Sequence, residues 1–404
     1  MRTRLLPVGT MSVVAALLVG GIATPAGASS TAGAMPTYTI AYEGPLSGGD
    51  AQLGLLQLYA VKLAINQANS GKSKFGKLPF KLDFKSEDDQ GSATQSPTAA
   101  QALITDPSVV AVVGPAFSGA TKAAEPDYSA ANLATVTPSA TDPELAEHGW
   151  HNFFRVVADD NAQGPADATF AAKYLKIHSV YSVDDASAYA SGLAGAFDAR
   201  AKKLGMKVTH DTVPGTTQCQ EGTGSVTEYP PEASKVVTAK PEAVFYAGYY
   251  CGFALFAKAL RTAGFKGVLM SDDGSNDPHY VKEAGAKVAN GTYLSCACTE
   301  ITPKGGPADA SFVKGFTALA HFPPGTYSGE SYDATNTVIS VMKSLGSHVT
   351  RAAMVKALHK VTYQGLTKTV HFLANGNIAG NAVYMYKVKG GAITELGAVG
   401  KLAG

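Results

Sequence analysis

VVAVVG, residues 109–114, contains no polar side chain, and it is followed at once by PAFSGAT, residues 115–121. A strand with one face in water alternates apolar and polar residues. An unbroken apolar run of this length instead marks a strand covered on both faces, as in a parallel sheet with helices above and below. Working outward from it, Tyr38–Tyr42, Lys81–Lys85 and Ala134–Thr137 are further strand candidates. Between the first two, Gly54–Asn69 places Leu56, Ala60, Leu63 and Ala64 at helical spacing. Ser118 opens a helix to about Asn132, with a kink expected at Pro126.

The pattern restarts after Arg155. Strands are predicted at Ser179–Val183, Ala243–Tyr246, Val268–Met270 and Thr292–Leu294. Helices are predicted at Ser187–Leu204, Phe253–Ala263, Tyr327–Leu345 and Thr350–His359. Near the end, Val383–Val388 and Ala392–Leu396 flank Lys389-Gly390-Gly391, a hairpin signal. Strand–helix alternation run twice argues for two α/β domains with mostly parallel sheets. A chain of 404 residues is also too long for one ordinary core.

Lys and Arg total 33 against 32 Asp and Glu, which offers no electrostatic case for nucleic acid or an anionic membrane. Arg2 and Arg4, the apolar run MSVVAALLVGGI (11–22) and the small-residue motif Ala26-Gly27-Ala28 read as a cleaved export signal over residues 1–28. Residues 29–36 then form a disordered stub, and no Cys stands near the cleavage site to take a lipid. The mature protein is expected outside the cytoplasm, periplasmic or extracellular. Cys219, Cys251, Cys296 and Cys298 suit an oxidising compartment. A bridge within the C-x-C of 296 and 298 is expected to be strained, so bridges linking 219 and 251 to 296 and 298 are favoured, in either pairing. Zinc is disfavoured because the spacing is not a paired C-x-x-C.

Ligands of open α/β sheets sit beyond the carboxyl ends of the strands. Those loops hold Ser118, then Pro138-Ser139-Ala140-Thr141-Asp142-Pro143, Tyr189, Tyr249 and Asp272-Asp273. Each has a plain structural explanation: Ser118 as a helix N-cap, Thr141 as a turn residue, the aspartates as a solvated loop, the tyrosines as core aromatics. Together they offer an anion end, a cation end and aromatic walls, which fit a zwitterion such as a free amino acid. Catalytic signatures are missing. No G-x-S-x-G surrounds Ser118 or Ser191, and neither phosphate-binding glycine motif is present. His148 and His151 lack the Glu of a zinc protease motif and read as surface or structural residues. No enzyme activity, cofactor or metal is expected.

Six stretches carry a resemblance: IAYEGPLSGGDAQLG (40–54), DDQG (88–91), VVGPAFSGAT (112–121), TPSATDPEL (137–145), FFRVVADDNAQGP (153–165) and VFYAGYY (244–250). In them the chain resembles the type I periplasmic binding proteins, in particular the leucine/isoleucine/valine-binding proteins of branched-chain amino-acid ABC transporters. The resemblance covers nearly the whole mature chain. It implies two Rossmann-like lobes joined by three crossings, near 156–160, 297–300 and 379–383, that close on a ligand. Residues 37–158 with 299–380 would form one lobe, and 159–298 with 381–404 the other. It further implies that Ser118 and Thr141 hold the ligand carboxylate and that the Ala140 carbonyl accepts from its ammonium. Asp273 would pair with that ammonium in place of a glutamate, and Tyr189 and Tyr249 would wall the pocket. The sequence departs from the family at Leu53, where an aromatic is common, and at Gly119 and Ala120, where some relatives carry hydroxyls. The usual first-lobe disulfide is absent, with Asp89 and Phe117 near its places. The implied function is capture of a branched-chain amino acid by a monomer and delivery to an ABC permease. The alternatives are a sensor or binding protein for amides, short peptides or aromatic compounds on the same fold, and, less well supported, a secreted enzyme.

Overall fold

Five parallel strands build the first half of the protein. The computed structural model describes residues 35–215, 219 and 226–404; the export signal and nearly all of the stub lie outside the described residues. The order along the chain is β1 (Thr37–Gly44), α1 (Ala51–Asn69), β2 (Lys81–Asp88), α2 (Ser96–Ile104), β3 (Val109–Val113), α3 (Ser118–Ala130), β4 (Ala134–Thr137) and β5 (Phe153–Arg155). In space the strands lie β2-β1-β3-β4-β5. Every residue of β3 is buried, as its unbroken apolar run requires. Helix α3 continues through Pro126 without ending there.

The second half repeats the winding: α4 (Asp160–Thr169), β6 (Ser179–Asp184), α5 (Ala188–Lys203), β7 (Lys207–Thr212), α6 (Tyr229–Ala239), β8 (Ala243–Ala247), α7 (Tyr250–Thr262), β9 (Val268–Ser271), α8 (Pro278–Ala284), α9 (Ala286–Ala289) and β10 (Tyr293–Cys296). The chain then crosses back and adds α10 (Pro307–Ala320), α11 (Ser328–Leu345), α12 (Arg351–Leu358) and the small ribbon β11 (Thr362–Gln364) and β12 (Thr369–His371). It returns once more for β13 (Tyr384–Lys389), β14 (Ala392–Ala398) and α13 (Val399–Leu402). The second sheet runs β14-β13-β10-β9-β8-β6-β7. Its last two strands are antiparallel additions, turned by Gly390 and Gly391 at φ +60° and +84°. Two consecutive residues at positive φ are what a two-residue hairpin turn demands, and glycine supplies them without a Cβ clash.

Both sheets reverse strand order beside a central strand, β1/β3 in the first and β6/β8 in the second. Such a switch point opens a crevice at the carboxyl ends of the strands. One buried cluster spans the second sheet and takes in Leu53, Ala116 and Phe117 from the first half, so the two crevices face one another across packed side chains. A second cluster joins the first sheet to α11 and α12.

The cysteines pair differently from the sequence expectation. Cys219 bridges Cys251, and Cys296 bridges Cys298. The C-x-C lies where β10 ends and the chain bends away, which brings its Cα atoms to 4.9 Å, within ordinary disulfide reach. The bend after β10 makes possible the close pairing that the sequence reading sets aside as strained. With all four sulfurs in disulfides, no thiolate remains for zinc. Among the described residues no helix is long and apolar enough to cross a membrane.

Candidate functional site

A cavity with about 290 Å³ of empty space lies where the crevices meet. From the first half it is lined by Leu53 and Gln57 of α1, by Ala116, Phe117 and Ser118 between β3 and α3, and by Ser139 after β4. From the second half come Tyr189 after β6, Tyr249 after β8, and Asp273 and Gly274 after β9. Tyr327, just before α11, completes the wall.

The structure therefore brings Ser118, Tyr189, Tyr249 and Asp273 together on one cavity. Ala140 and Thr141 do not line it; their neighbour Ser139 does. The Ala140 carbonyl accepts a hydrogen bond from Arg155 Nη1 at 3.1 Å, so it is turned toward that guanidinium. The Thr141 carbonyl accepts from the Asp160 N–H at 3.0 Å, and its hydroxyl is buried beside the Asp160 carboxyl. Ser118 is the first residue of α3, with Phe117 at the N-cap, so its hydroxyl does not cap. Instead Oγ accepts from the Asp142 N–H at 3.2 Å and ties the helix start to the Pro138–Pro143 loop. The first N–H groups of any helix lack partners inside it, so α3 still points donors toward the cavity.

Asp273 is buried and held by neutral donors. Oδ1 accepts from Gln163 Nε2 at 2.5 Å and from Tyr189 OH at 2.8 Å, and Oδ2 accepts from Tyr327 OH at 2.6 Å. Burial pushes its carboxyl above the ordinary range, against the hydrogen bonds from Tyr327, Tyr189 and Gln163. Burial also pushes Asp160 and Asp167 up, and the nearby Asp273 adds to both. Asp272 accepts from the Gly248 N–H at 2.9 Å and lies beside Tyr189, and burial followed by Asp273 pushes its carboxyl up. These buried carboxyls near one cavity, whose lining carries no Lys or Arg, make that end receptive to a cation.

The rings complete the enclosure. Phe117 stacks on Tyr249 with centroids 4.3 Å apart, and Tyr189 lies 5.5 Å from Tyr249. Direct bonds join the halves around them: Tyr250 OH to the Gly49 carbonyl at 2.5 Å, the Cys251 N–H to Asp50 at 3.3 Å, and Thr326 to the Asn276 carbonyl. His148 and His151 lie elsewhere, the first stacked on Trp150 and the second bonded to Asn132.

The profile of the periplasmic binding proteins matches residues 37–392. The chain belongs to this family. It is 26% identical over 382 residues to the Leu/Ile/Val-binding protein homolog 3 of Brucella melitensis, covering 94% of this chain and 99% of that one. It is 25% identical to the leucine-, isoleucine-, valine-, threonine-, and alanine-binding protein of Pseudomonas aeruginosa, covering 87% of this chain and 90% of that one. The fold is shared with the branched-chain amino-acid transporter substrate-binding protein LivJ of Streptococcus pneumoniae, solved with isoleucine. That match has a TM-score of 0.78 at 23% identity and covers 89% of this chain and 99% of the other. It is also shared with a solute-binding protein of R. palustris solved with benzoate, at a TM-score of 0.76 and 19% identity, covering 90% and 96%. The two-sheet architecture with three chain passages between the sheets is thus that of the periplasmic binding proteins.

Several residues that line or shape the cavity of this family member escaped the sequence. Gln57 lies four residues after Leu53, on the same face of α1. That spacing was a usable signal. Tyr327 and Arg155 had none, since one arrives from a distant segment and the other acts from behind the loop it holds.

Proposed function

We propose that this periplasmic binding protein is an exported solute-binding component that captures a free amino acid, with a branched side chain, and hands it to an ABC permease. The observation that carries this reading is Asp273, a buried carboxylate on a cavity that offers it hydroxyl and amide donors and no cation. A ligand ammonium would supply the missing charge. The start of α3 at Ser118 would receive the ligand carboxylate, because helix N-termini favour anions. The rings of Phe117, Tyr189, Tyr249 and Tyr327 would enclose an apolar or partly apolar side chain.

No group in the site is arranged as a nucleophile with its base, and the function is binding without turnover. The ligand would touch residues from both sheets, so it would bind the closed arrangement more tightly than an open one and shift the population toward it. The halves carrying the two sheets would move as lobes about the three passages. An aromatic acid without an ammonium fits less well, because it leaves Asp273 uncompensated.

The test is calorimetry on protein freed of ligand by unfolding and refolding, titrated with the common amino acids. Asp273→Asn and Ser118→Ala are run beside it. Binding of valine, leucine, isoleucine or threonine, weakened at least about 10-fold in Asp273→Asn, is expected. Absence of heat with every amino acid would overturn the assignment.

A further inference from the structure

Gln57 is a buried amide with a polar atom that the protein leaves unpaired. It is fully buried in α1 and lines the cavity, yet its Nε2 has no hydrogen-bond partner in the protein. Its Oε1 lies 3.2 Å from Ser139 Oγ. The Ser139 hydroxyl has one proton, and that proton goes to the Ala116 carbonyl at 2.6 Å. The contact between Gln57 and Ser139 is therefore better met with the amide turned over, its N–H donating to Ser139 Oγ. Turning it over frees the other atom. In one orientation the cavity receives an unpaired N–H, in the other an unpaired carbonyl. A hydroxyl both donates and accepts, so it completes either orientation, whereas a methyl group completes neither.

The space beside Gln57 is small. Phe117 stacked on Tyr249 fills part of the cavity and Leu53 closes the same wall, so little free space is left beside Gln57. A short side chain fits better than a long one.

We infer that Gln57 is a specificity-determining residue, and that the ligand is an amino acid whose short, branched side chain carries a hydroxyl on one branch. This rests on the amino-acid reading above and narrows it. The physical basis is the cost of burying an unpaired amide: an all-carbon side chain seals Gln57 without a partner, and a hydroxyl restores one.

Threonine and valine test it, because they differ by a hydroxyl in place of a methyl and have nearly the same shape. Alanine is the third probe, with the same head group and no group able to reach Gln57. Calorimetry on the wild-type chain is expected to give threonine at least about 10-fold tighter than valine. In Gln57→Leu that ratio is expected to fall to one or reverse. Valine binding as tightly as threonine to the wild-type chain would overturn the inference, whatever the variant does. If alanine then still binds, the head-group reading stands and only the role of Gln57 fails. Should none of the three bind while leucine or isoleucine does, only the inference fails; should no amino acid bind, both fail. Equal ratios in the wild type and in Gln57→Leu would likewise overturn it, provided the variant melts as a folded protein.

Discussion

Arg155 is fully buried, and removing its guanidinium should loosen the loop behind the cavity. Nη1 donates to the carbonyls of Ala140 at 3.1 Å and Asp142 at 2.7 Å. Nη2 donates to Asn377 Oδ1 at 2.6 Å and reaches Asp159 at 3.4 Å. One side chain thus joins the Pro138–Pro143 loop to a segment more than two hundred residues later. Arg155→Met keeps most of the volume and removes every donor. Swapping a buried charge for an apolar group is often neutral when its partners leave with it. Here they stay: two backbone carbonyls lose their donor, at about 1–3 kcal/mol each. Relief of the guanidinium's own desolvation, which pulls its pKa down, offsets part of this. A net loss of about 3 kcal/mol is expected. At roughly 1–2 °C per kcal/mol for a folded unit of this size, this lowers the melting temperature by about 3–6 °C. Arg155→Lys keeps the charge but cannot fork to two carbonyls, and should fall between. Calorimetric melting of the three proteins is the assay. A midpoint for Arg155→Met within about 1 °C of the wild type would show that the carbonyls find other partners, and would refute the reasoning.

Three further outcomes are expected. Glu43, buried at the end of β1 and bonded by the Ser96 and Tyr128 hydroxyls, is pushed up to about 8 by burial and then by Asp89, itself pushed up to about 7 by burial. Folding therefore takes up protons, so this stability is complete below the unfolded carboxylate values, near 4, and is lost as pH rises through about 7 to 8. Melting temperature should fall between about pH 5 and 8, and less steeply in Glu43→Gln; identical slopes would absolve Glu43. A Cβ on Gly54 would stand 1.7 Å from the Pro45 carbonyl oxygen, so Gly54→Ala should cost at least about 2 kcal/mol in urea unfolding. Gly195→Ala, on an open and exposed stretch of α5, should instead stabilise by up to about 1 kcal/mol.

The sequence disclosed most where one local pattern settles one feature. VVAVVG could only be a strand covered on both faces, and the double glycine could only turn a hairpin. It was least informative where distant segments decide. Helix α4, DNAQGPADAT, contains both Gly164 and Pro165, and the sequence reading assigns no helix there. It is helical because Gly164 lets it approach α5, where a Cβ would come within 2.7 Å of the Phe197 nitrogen. At the site, strand-end logic reached Ser118, Tyr189, Tyr249 and Asp273, since each follows a strand directly. It did not separate Ser139 from Ala140, because which of two adjacent residues faces the cavity depends on where Arg155 pulls the loop. Tyr327 follows no strand and was invisible to that logic. The cysteine pairing turned on the bend after β10, which residue spacing alone does not reveal.

The three passages between the sheets also govern the order in which the chain can become compact. The core of the first sheet needs Val338, Ile339, Met342 and Met354, and that of the second needs Met385, Tyr386 and Val388. A polypeptide emerging N-terminus first from a ribosome or a membrane pore therefore completes neither half until its last fifth has followed. Until then each sheet presents an unfinished apolar face, which a chaperone can hold and a translocation channel can thread. Tying the two halves together late leaves a long window in which the chain is still linear, and then lets both cores close within a few dozen residues of one another.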